Sequence, residues 1–152
     1  MNRSRRNACI AATTLAGALA PAATPAGAAF RKRAIGPTDG AWAQANEVRG
    51  AQRWLFVSGQ IPEDAYGKVP ESFKAQARLT WDNVVAQLRA ADMDLSNLVK
   101  FTMFLSDRRY RREAYEVRAE VFGTKVVPAM TIVIAGIYDE QWLLEIEAIA
   151  AA

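Results

Sequence analysis

Histidine is absent from the 152 residues of this chain, and cysteine occurs once, as Cys9. The missing imidazole excludes a serine–histidine–aspartate triad and makes a typical zinc site unexpected. Because Cys9 lies in the N-terminal segment discussed below, the chain that remains without that segment has no disulfide, no thiol nucleophile and no thiolate ligand. We therefore predict no metal site.

A large excess of positive charge is also missing. The chain has 19 lysine and arginine residues against 16 aspartate and glutamate residues, a formal net charge of +3. Arg3, Arg5 and Arg6 lie within residues 1–28, which contain no acidic residue. The remainder is close to neutral, so no overall electrostatic attraction to nucleic acid is expected, and we predict no nucleic-acid partner.

The first 28 residues have the three-part pattern of a cleavable secretion signal. Residues 3–6 form a basic start, residues 8–20 an apolar run, and Ala26-Gly27-Ala28 a small-residue site with cleavage expected after Ala28. The apolar run is too short to span a bilayer comfortably. Ser4-Arg5-Arg6 is similar to a twin-arginine signal, which favours that route over the general one. We predict bacterial export, a periplasmic or secreted location and no stable membrane association after processing; the alternative is a disordered tail on a cytoplasmic protein.

Residues 29–152 are predicted to form one domain. The helix over residues 71–91 is the clearest element, because its apolar residues recur at spacings of three and four. The first two strands are close enough in sequence to form a hairpin. The predicted elements are, in order, an irregular lead-in over residues 29–37, strands over 42–48 and 53–58, the helix over 71–91, a strand over 98–105, a helix that Asp107 caps and that runs to about residue 122, and strands over 131–137 and 142–150.

The order β-β-α-β-α-β-β is that of an α+β fold, in which two helices cover one face of a mixed sheet. The strand over residues 98–105 carries apolar side chains on both of its faces. Two helices are enough for only one face of the sheet. We therefore expect the other face to meet another subunit in a closed symmetric assembly.

Several stretches of the chain occur in the order that one known family shows. They are Ala34-Ile35-Gly36-Pro37; Phe56-Val57-Ser58-Gly59-Gln60-Ile61-Pro62; Gln76, Asn83 and Leu88; Leu98-Val99-Lys100-Phe101-Thr102 with Phe104-Leu105; Tyr115-Glu116-Val117 with Phe122; Pro128-Ala129; and Glu145-Ile146-Glu147-Ala148-Ile149-Ala150. In this ordered set, which covers nearly all of residues 34–150, the chain resembles the Rid family, the reactive intermediate deaminases once called YjgF-like.

The resemblance implies a chorismate-mutase-like fold and a homotrimer whose sheets form a central barrel. It places ligand clefts for a small molecule between the subunits. For the active members it also implies hydrolysis of reactive enamines and imines to keto acids and ammonia, with no metal or organic cofactor.

Active members of the family hold the substrate carboxylate with an arginine directly after the Pro-Ala pair, where this chain has Met130. Arginine makes two charge-assisted hydrogen bonds to a carboxylate, and methionine offers no donor. Each lost hydrogen bond to a charged group costs on the order of 1.5 to 3 kcal/mol. Tyr115 stands at a family asparagine and Ile132 at a cysteine or small residue. Trp42 takes the place of a family tyrosine if residues 38–41 are an insertion.

The resemblance leaves Ser58 and Gly59, whose backbone groups can contact a ligand, and Glu145, the family's water-orienting or proton-transferring acid and our candidate catalytic residue. We predict one cleft at the subunit boundary, lined by Trp42, Ser58, Gly59, Tyr115, Met130 and Glu145. Structural explanations also exist: Gly59 can serve only a turn, Glu145 can be a solvated or ion-paired carboxylate, and the apolar members can be packing residues.

A run of four arginines, Arg108-Arg109-Tyr110-Arg111-Arg112, is predicted to be a solvated helix surface, with Arg109–Glu113 and Arg112–Glu116 pairs four residues apart.

Two classes of function remain from the sequence. The first is an exported Rid-like protein that binds a small molecule and whose deaminase activity on standard 2-imino acids is weak or lost. The second is a working enamine or imine hydrolase with an altered substrate and a substitute anchor, for which the nearby cations are Arg118, Lys125 and Lys100. A weaker alternative is an extracytoplasmic interaction protein that uses the arginine run.

Overall fold

The computed structural model describes residues 29–123 and 127–152, so the predicted secretion signal, residues 1–28, lies outside the described residues. The chain forms the strands and helices β1 (Arg31–Thr38), β2 (Trp42–Arg49), β3 (Trp54–Gln60), α1 (Phe73–Ala90), β4 (Leu98–Leu105), α2 (Arg111–Phe122), β5 (Ala129–Ile134) and β6 (Leu144–Ala151). The strands make a single sheet in the order β1-β2-β5-β4-β6-β3. Strand β5 is parallel to β2 and β4, and the other pairs are antiparallel. The predicted α+β class with a mixed sheet is confirmed.

Two predictions about the first strands are wrong. The irregular lead-in predicted over residues 29–37 is instead mostly a strand, because residues 31–38 form β1, which pairs with β2 in a hairpin. The hairpin predicted between residues 42–48 and 53–58 does not form, because β2 already has β1 on one side and β5 on the other. Strand β3 instead pairs with β6 at the opposite edge of the sheet. The last two strands also differ from their predicted bounds by one to three residues at each end.

Helix α1 begins after Ser72, whose hydroxyl accepts a hydrogen bond from the backbone N–H of Ala75 at 3.3 Å, a normal N-cap. Its apolar stripe is buried as the spacing predicts, from Phe73 to Leu88. Trp81 of α1 lies edge-on to Phe101 of β4 at 5.1 Å between ring centroids, and also packs against α2. None of the described helices is long and apolar enough to cross a membrane.

The two helices cover one face of the sheet, and the other face is open in the single chain. In β6, Leu144 and Ile146 are fully buried against the helices, and Glu145 and Glu147 alternate with them toward the open face. Aromatic Phe56 of β3 is 73% exposed on that open face. An exposed aromatic on an uncovered sheet face agrees with the expected contact between subunits.

Candidate functional site

The turn between β1 and β2 positions the first candidate, Trp42. Residues 39–41 form this turn, within the stretch 38–41 that must be an insertion if Trp42 takes the place of the family tyrosine, and Ala41 has a positive φ of 55°. The Thr38 hydroxyl donates to the carbonyl oxygen of Trp42 at 3.0 Å and closes the turn. A side chain at Gly40 would lie 3.0 Å from Nε1 of Trp42, so the indole packs directly against the Gly40 backbone.

Helix α2 positions Tyr115. Asp107 accepts a hydrogen bond from the backbone N–H of Arg109 at 2.8 Å and starts a short 3-10 turn that leads into the helix. On α2, Ala114 and Val117 face the core, and Tyr115 is 48% exposed at its side.

Strand β5 positions Met130. The N–H of Ala43 donates to the carbonyl of Pro128 at 3.0 Å, which brings the start of β2 beside the start of β5. Met130 pairs with Phe101 of β4 and packs against the core on the helix-covered face. Three of the six predicted residues, Trp42, Tyr115 and Met130, therefore line one open groove of about 500 Å³, together with Arg111, Arg112, Arg118 and Ile132. We call this set the groove cluster.

Arg118 of α2 is only 3% exposed although it carries a charge. Its Nη1 donates to the sulfur of Met130 at 2.8 Å, and its Nη2 donates to the carbonyl oxygen of Gly40 at 3.0 Å. The Tyr115 ring lies 5.2 Å below its guanidinium carbon. Its Nε is buried without a hydrogen-bond partner. Burial lowers the pKa of Arg118, and the interaction with Tyr115 partly opposes that shift.

The other three predicted residues, Ser58, Gly59 and Glu145, meet elsewhere; we call them the carboxylate cluster. The β3–β6 pairing is irregular between Val57 and Gln60, which is the position of Ser58 and Gly59. A Cβ at Gly59 would lie 1.6 Å from Oε1 of Glu145, so the Glu145 side chain crosses the space that a larger residue would fill. Gly59 is thus required here for the approach of a carboxylate and has no positive φ.

Two polar residues on α1 hold the segment after this bulge in place. The Asn83 amide donates to the carbonyls of Ile61 and Glu63 at 2.9 and 3.0 Å. The Gln76 side chain is buried and bonds to the backbone of Pro70, Gln141 and Leu143 at 2.8 to 2.9 Å. Both positions of the family resemblance therefore have structural roles that fix the loops next to the carboxylate cluster.

The two clusters lie on opposite faces of the sheet. Met130 shares the helix-covered face with Phe101, and Glu145 pairs with Phe104 of β4 on the open face. Within one chain the six residues therefore do not line a single cleft. Only the apposition of two copies can bring a groove cluster together with a carboxylate cluster.

The substitute anchors considered from the sequence are placed differently. Lys100 is exposed on β4 and lines a pocket on the open face, away from the groove. Lys125 lies outside the described residues. Of the two candidates that the structure describes, Arg118 is the one that belongs to the groove cluster. A signal for it exists in the sequence, because Arg118 interrupts the apolar stripe of α2 between Ala114, Val117 and Phe122.

The arginine run has mixed contacts. Arg112 pairs with Glu116 at 3.0 Å, as predicted, and Lys74 of α1 reaches the same carboxylate at 2.6 Å. Lys74 and Arg112 lower the pKa of Glu116. Arg109 lies 3.7 Å from Asp107 instead of pairing with Glu113.

Among residues 29–123 and 127–152, no three acidic side chains meet in a group that could hold a metal ion.

Comparison with known proteins places these features in context. The Endoribonuclease L-PSP family model matches residues 34–152. A RutC family protein of Pyrococcus horikoshii is 37% identical over 102 residues, which cover 66% of this chain and 80% of the relative. The putative reactive intermediate deaminase TdcF of Escherichia coli K12 is 33% identical over 99 residues, covering 63% and 77%.

Solved structures show the same fold. A crystal structure of E. coli TdcF with bound serine superposes with a TM-score of 0.63 at 32% identity and covers 78% of this chain and 91% of that one. The E. coli YjgF gene product superposes with a TM-score of 0.62 at 30% identity, covering 76% and 91%.

Proposed function

The chain belongs to the Endoribonuclease L-PSP family, which is the Rid family of reactive intermediate deaminases. From that premise we propose that it is an exported member that binds a small molecule in clefts between subunits. We also propose that it deaminates ordinary 2-imino acids only weakly. The observation that carries the proposal is Met130 at the anchor position, with Trp42 and Tyr115 beside it in one groove.

Met130 cannot replace an arginine as a carboxylate ligand. Its sulfur is a weak acceptor and already receives a hydrogen bond from Arg118. A substrate carboxylate placed against this thioether loses water and gains no donor from it, which is unfavourable. A small imino acid held only loosely reacts slowly, because hydrolysis depends on a fixed geometry of the C=N carbon.

The carboxylate cluster retains the parts that imine hydrolysis needs. A water must attack the C=N carbon and a proton must reach the nitrogen, and Glu145 is an acid that can orient the one and transfer the other. The backbone at Ser58 and Gly59 lies beside it at an exposed bulge. The chain thus keeps residues that can carry out the hydrolysis step, but it lacks the arginine that would hold the substrate carboxylate.

The proposed cleft requires a second copy of the chain, and we propose a homotrimer. One chain leaves a sheet face uncovered and separates the two clusters, and both features are resolved by a closed ring of copies. The relative TdcF of E. coli has been crystallised with bound serine, which supports a small-molecule ligand for this chain. The secretion-signal pattern of residues 1–28 supports export to the periplasm or beyond.

The test is a crystal structure of the protein soaked with pyruvate or with an uncharged heterocycle such as indole. We expect a trimer and ligand density between the groove cluster of one copy and the carboxylate cluster of the next. Light scattering on the same preparation should give roughly three times the monomer mass. A stable monomer, or ligand density only at an unrelated pocket, would contradict the proposed cleft between subunits.

A second candidate function is a hydrolase with an altered substrate. The specific observation in its favour is Arg118, a buried cation in the groove beside the missing anchor. An imine larger than those of ordinary amino acids is the substrate class to expect. Turnover of such an imine that disappears in Glu145→Gln would favour this candidate over a pure binding protein.

A further inference from the structure

We propose that Arg118 is the anion anchor of the groove, supplied by helix α2 in place of the arginine that is missing at position 130, and that the groove takes a planar molecule with a carboxylate group. This inference rests on the proposed function of the groove as a small-molecule site. It specifies the ligand class and the residue that recognises it.

The hydrogen bonding of Arg118 is incomplete for a buried guanidinium. Five N–H groups are available, and the described partners are one thioether and one backbone carbonyl. Its Nε has no partner, and no carboxylate among the described residues pairs with it. A buried charge without a counter-ion is costly, and a bound carboxylate would satisfy the unused donors in the bidentate geometry that arginine favours.

The charge of the groove has a single sign. Its lining includes Arg111, Arg112 and Arg118 and no acidic residue. Arg112 is paired with Glu116 on the helix surface, so the net field at the mouth comes mainly from Arg111. A groove lined by one sign of charge attracts the opposite sign, which favours an anionic ligand.

The walls of the groove suit a flat, apolar body. Trp42 and Tyr115 supply aromatic surfaces, and Ile132 and Met130 supply aliphatic ones. Aromatic rings favour offset stacking with other flat groups. Met130 is unbranched and flexible, so its sulfur can leave Nη1 of Arg118 when a stronger acceptor arrives. The volume of about 500 Å³ is within the range of small-molecule sites.

The turn between β1 and β2 positions both Arg118 and one wall of the groove. Gly40 lies within residues 38–41, and its carbonyl oxygen fixes Nη2 of Arg118. The same turn packs against the Trp42 indole, so it sets both the cation and one wall. A carboxylate held from α2 instead of β5 gives the rest of the ligand a different position relative to Glu145. Because of this changed position, small 2-imino acids should be turned over weakly, and a longer planar acid should be accepted.

Isothermal titration calorimetry on the purified protein tests the anchor with trans-cinnamate and its neutral isostere cinnamamide. We expect wild type to bind cinnamate at least tenfold more tightly than cinnamamide, and Arg118→Met to abolish that preference. Arg89→Met, at an exposed arginine in the last turn of α1, is the matched control and should keep it. Inorganic phosphate should compete at least tenfold more weakly than cinnamate, because it lacks the planar body.

Arg118→Lys covers the case in which Arg118→Met does not fold. It keeps the charge and loses the planar fork, so we expect the preference for cinnamate to fall at least threefold. An unchanged preference in Arg118→Lys or Arg118→Met would overturn the anchor. Equal binding of both probes by wild type would overturn the anchor and leave the groove as a small-molecule site. Binding of neither probe would overturn the anchor and the proposed groove together.

Discussion

At the scale of single residues, the pair Met130–Arg118 differs from the arginine that the family resemblance implies for active members. Position 130 carries no donor, and the nearest guanidinium reaches it from a helix with Nη1 2.8 Å from the sulfur. Sequence reasoning identified the missing arginine at once, because a Pro-Ala pair marks the position. It could not choose among three neighbouring cations, because the choice depends on how α2 packs over β5.

Met130→Arg should destabilise the protein, because it would place a second guanidinium against the buried Arg118. We expect a loss of roughly 2 kcal/mol in the free energy of unfolding, typical of burying an unpaired charge. Adding Arg118→Leu to Met130→Arg should restore most of that stability. Met130→Leu is the volume-conserving control and should change stability by less than about 1.5 kcal/mol. Urea unfolding of the four proteins measures the effect, and Met130→Arg unfolding at the wild-type midpoint would contradict the packing described here.

At the scale of elements, the edges of the sheet were the hardest to predict. Strand β1 reads as a loop because its residues, RKRAIGPT, are mostly charged or small and include Gly36 and Pro37. An edge strand tolerates such a sequence, since proline needs no ladder partner on its open side. Helix α1 and β4 were predicted well, because their apolar patterns reflect burial in the core. Pairing was predicted poorly, because β3 and β6 are far apart in sequence and only the whole sheet decides their neighbours.

The bulge in β3 carries a prediction at this scale. Gly59→Ala would place a methyl group 1.6 Å from the present position of Oε1 in Glu145. The Glu145 side chain is flexible and can move aside, so we expect the thermal unfolding midpoint to change little. Residual imine hydrolysis, measured at high protein concentration, should fall to the level of Glu145→Gln.

Gly136→Ala is the matched control for Gly59→Ala, because no atom lies within 4 Å of a Cβ added there. It should leave both hydrolysis and stability unchanged. Full residual hydrolysis in Gly59→Ala would show that the placement of Glu145 over Gly59 has no part in the chemistry.

At the scale of the whole molecule, one chain carries two clusters of candidate site residues on opposite faces of the sheet. Six candidate site residues could be named from the sequence, but not their division into two clusters, because a list of residues does not show on which face of a sheet each lies. The uncovered face, with Phe56 73% exposed, is the surface at which we propose that copies of this chain meet. We propose that the protein keeps the acid Glu145 but deaminates ordinary 2-imino acids only weakly.

That claim is tested most directly by generating 2-imino acids in solution with an amino-acid oxidase and following their loss. Adding this protein should change the rate little, under conditions where an active member of the family accelerates it strongly. The reason is that Met130 stands on β5 where an arginine would bind the substrate carboxylate. Rapid hydrolysis of ordinary 2-imino acids by the wild-type protein, abolished in Glu145→Gln, would contradict the account.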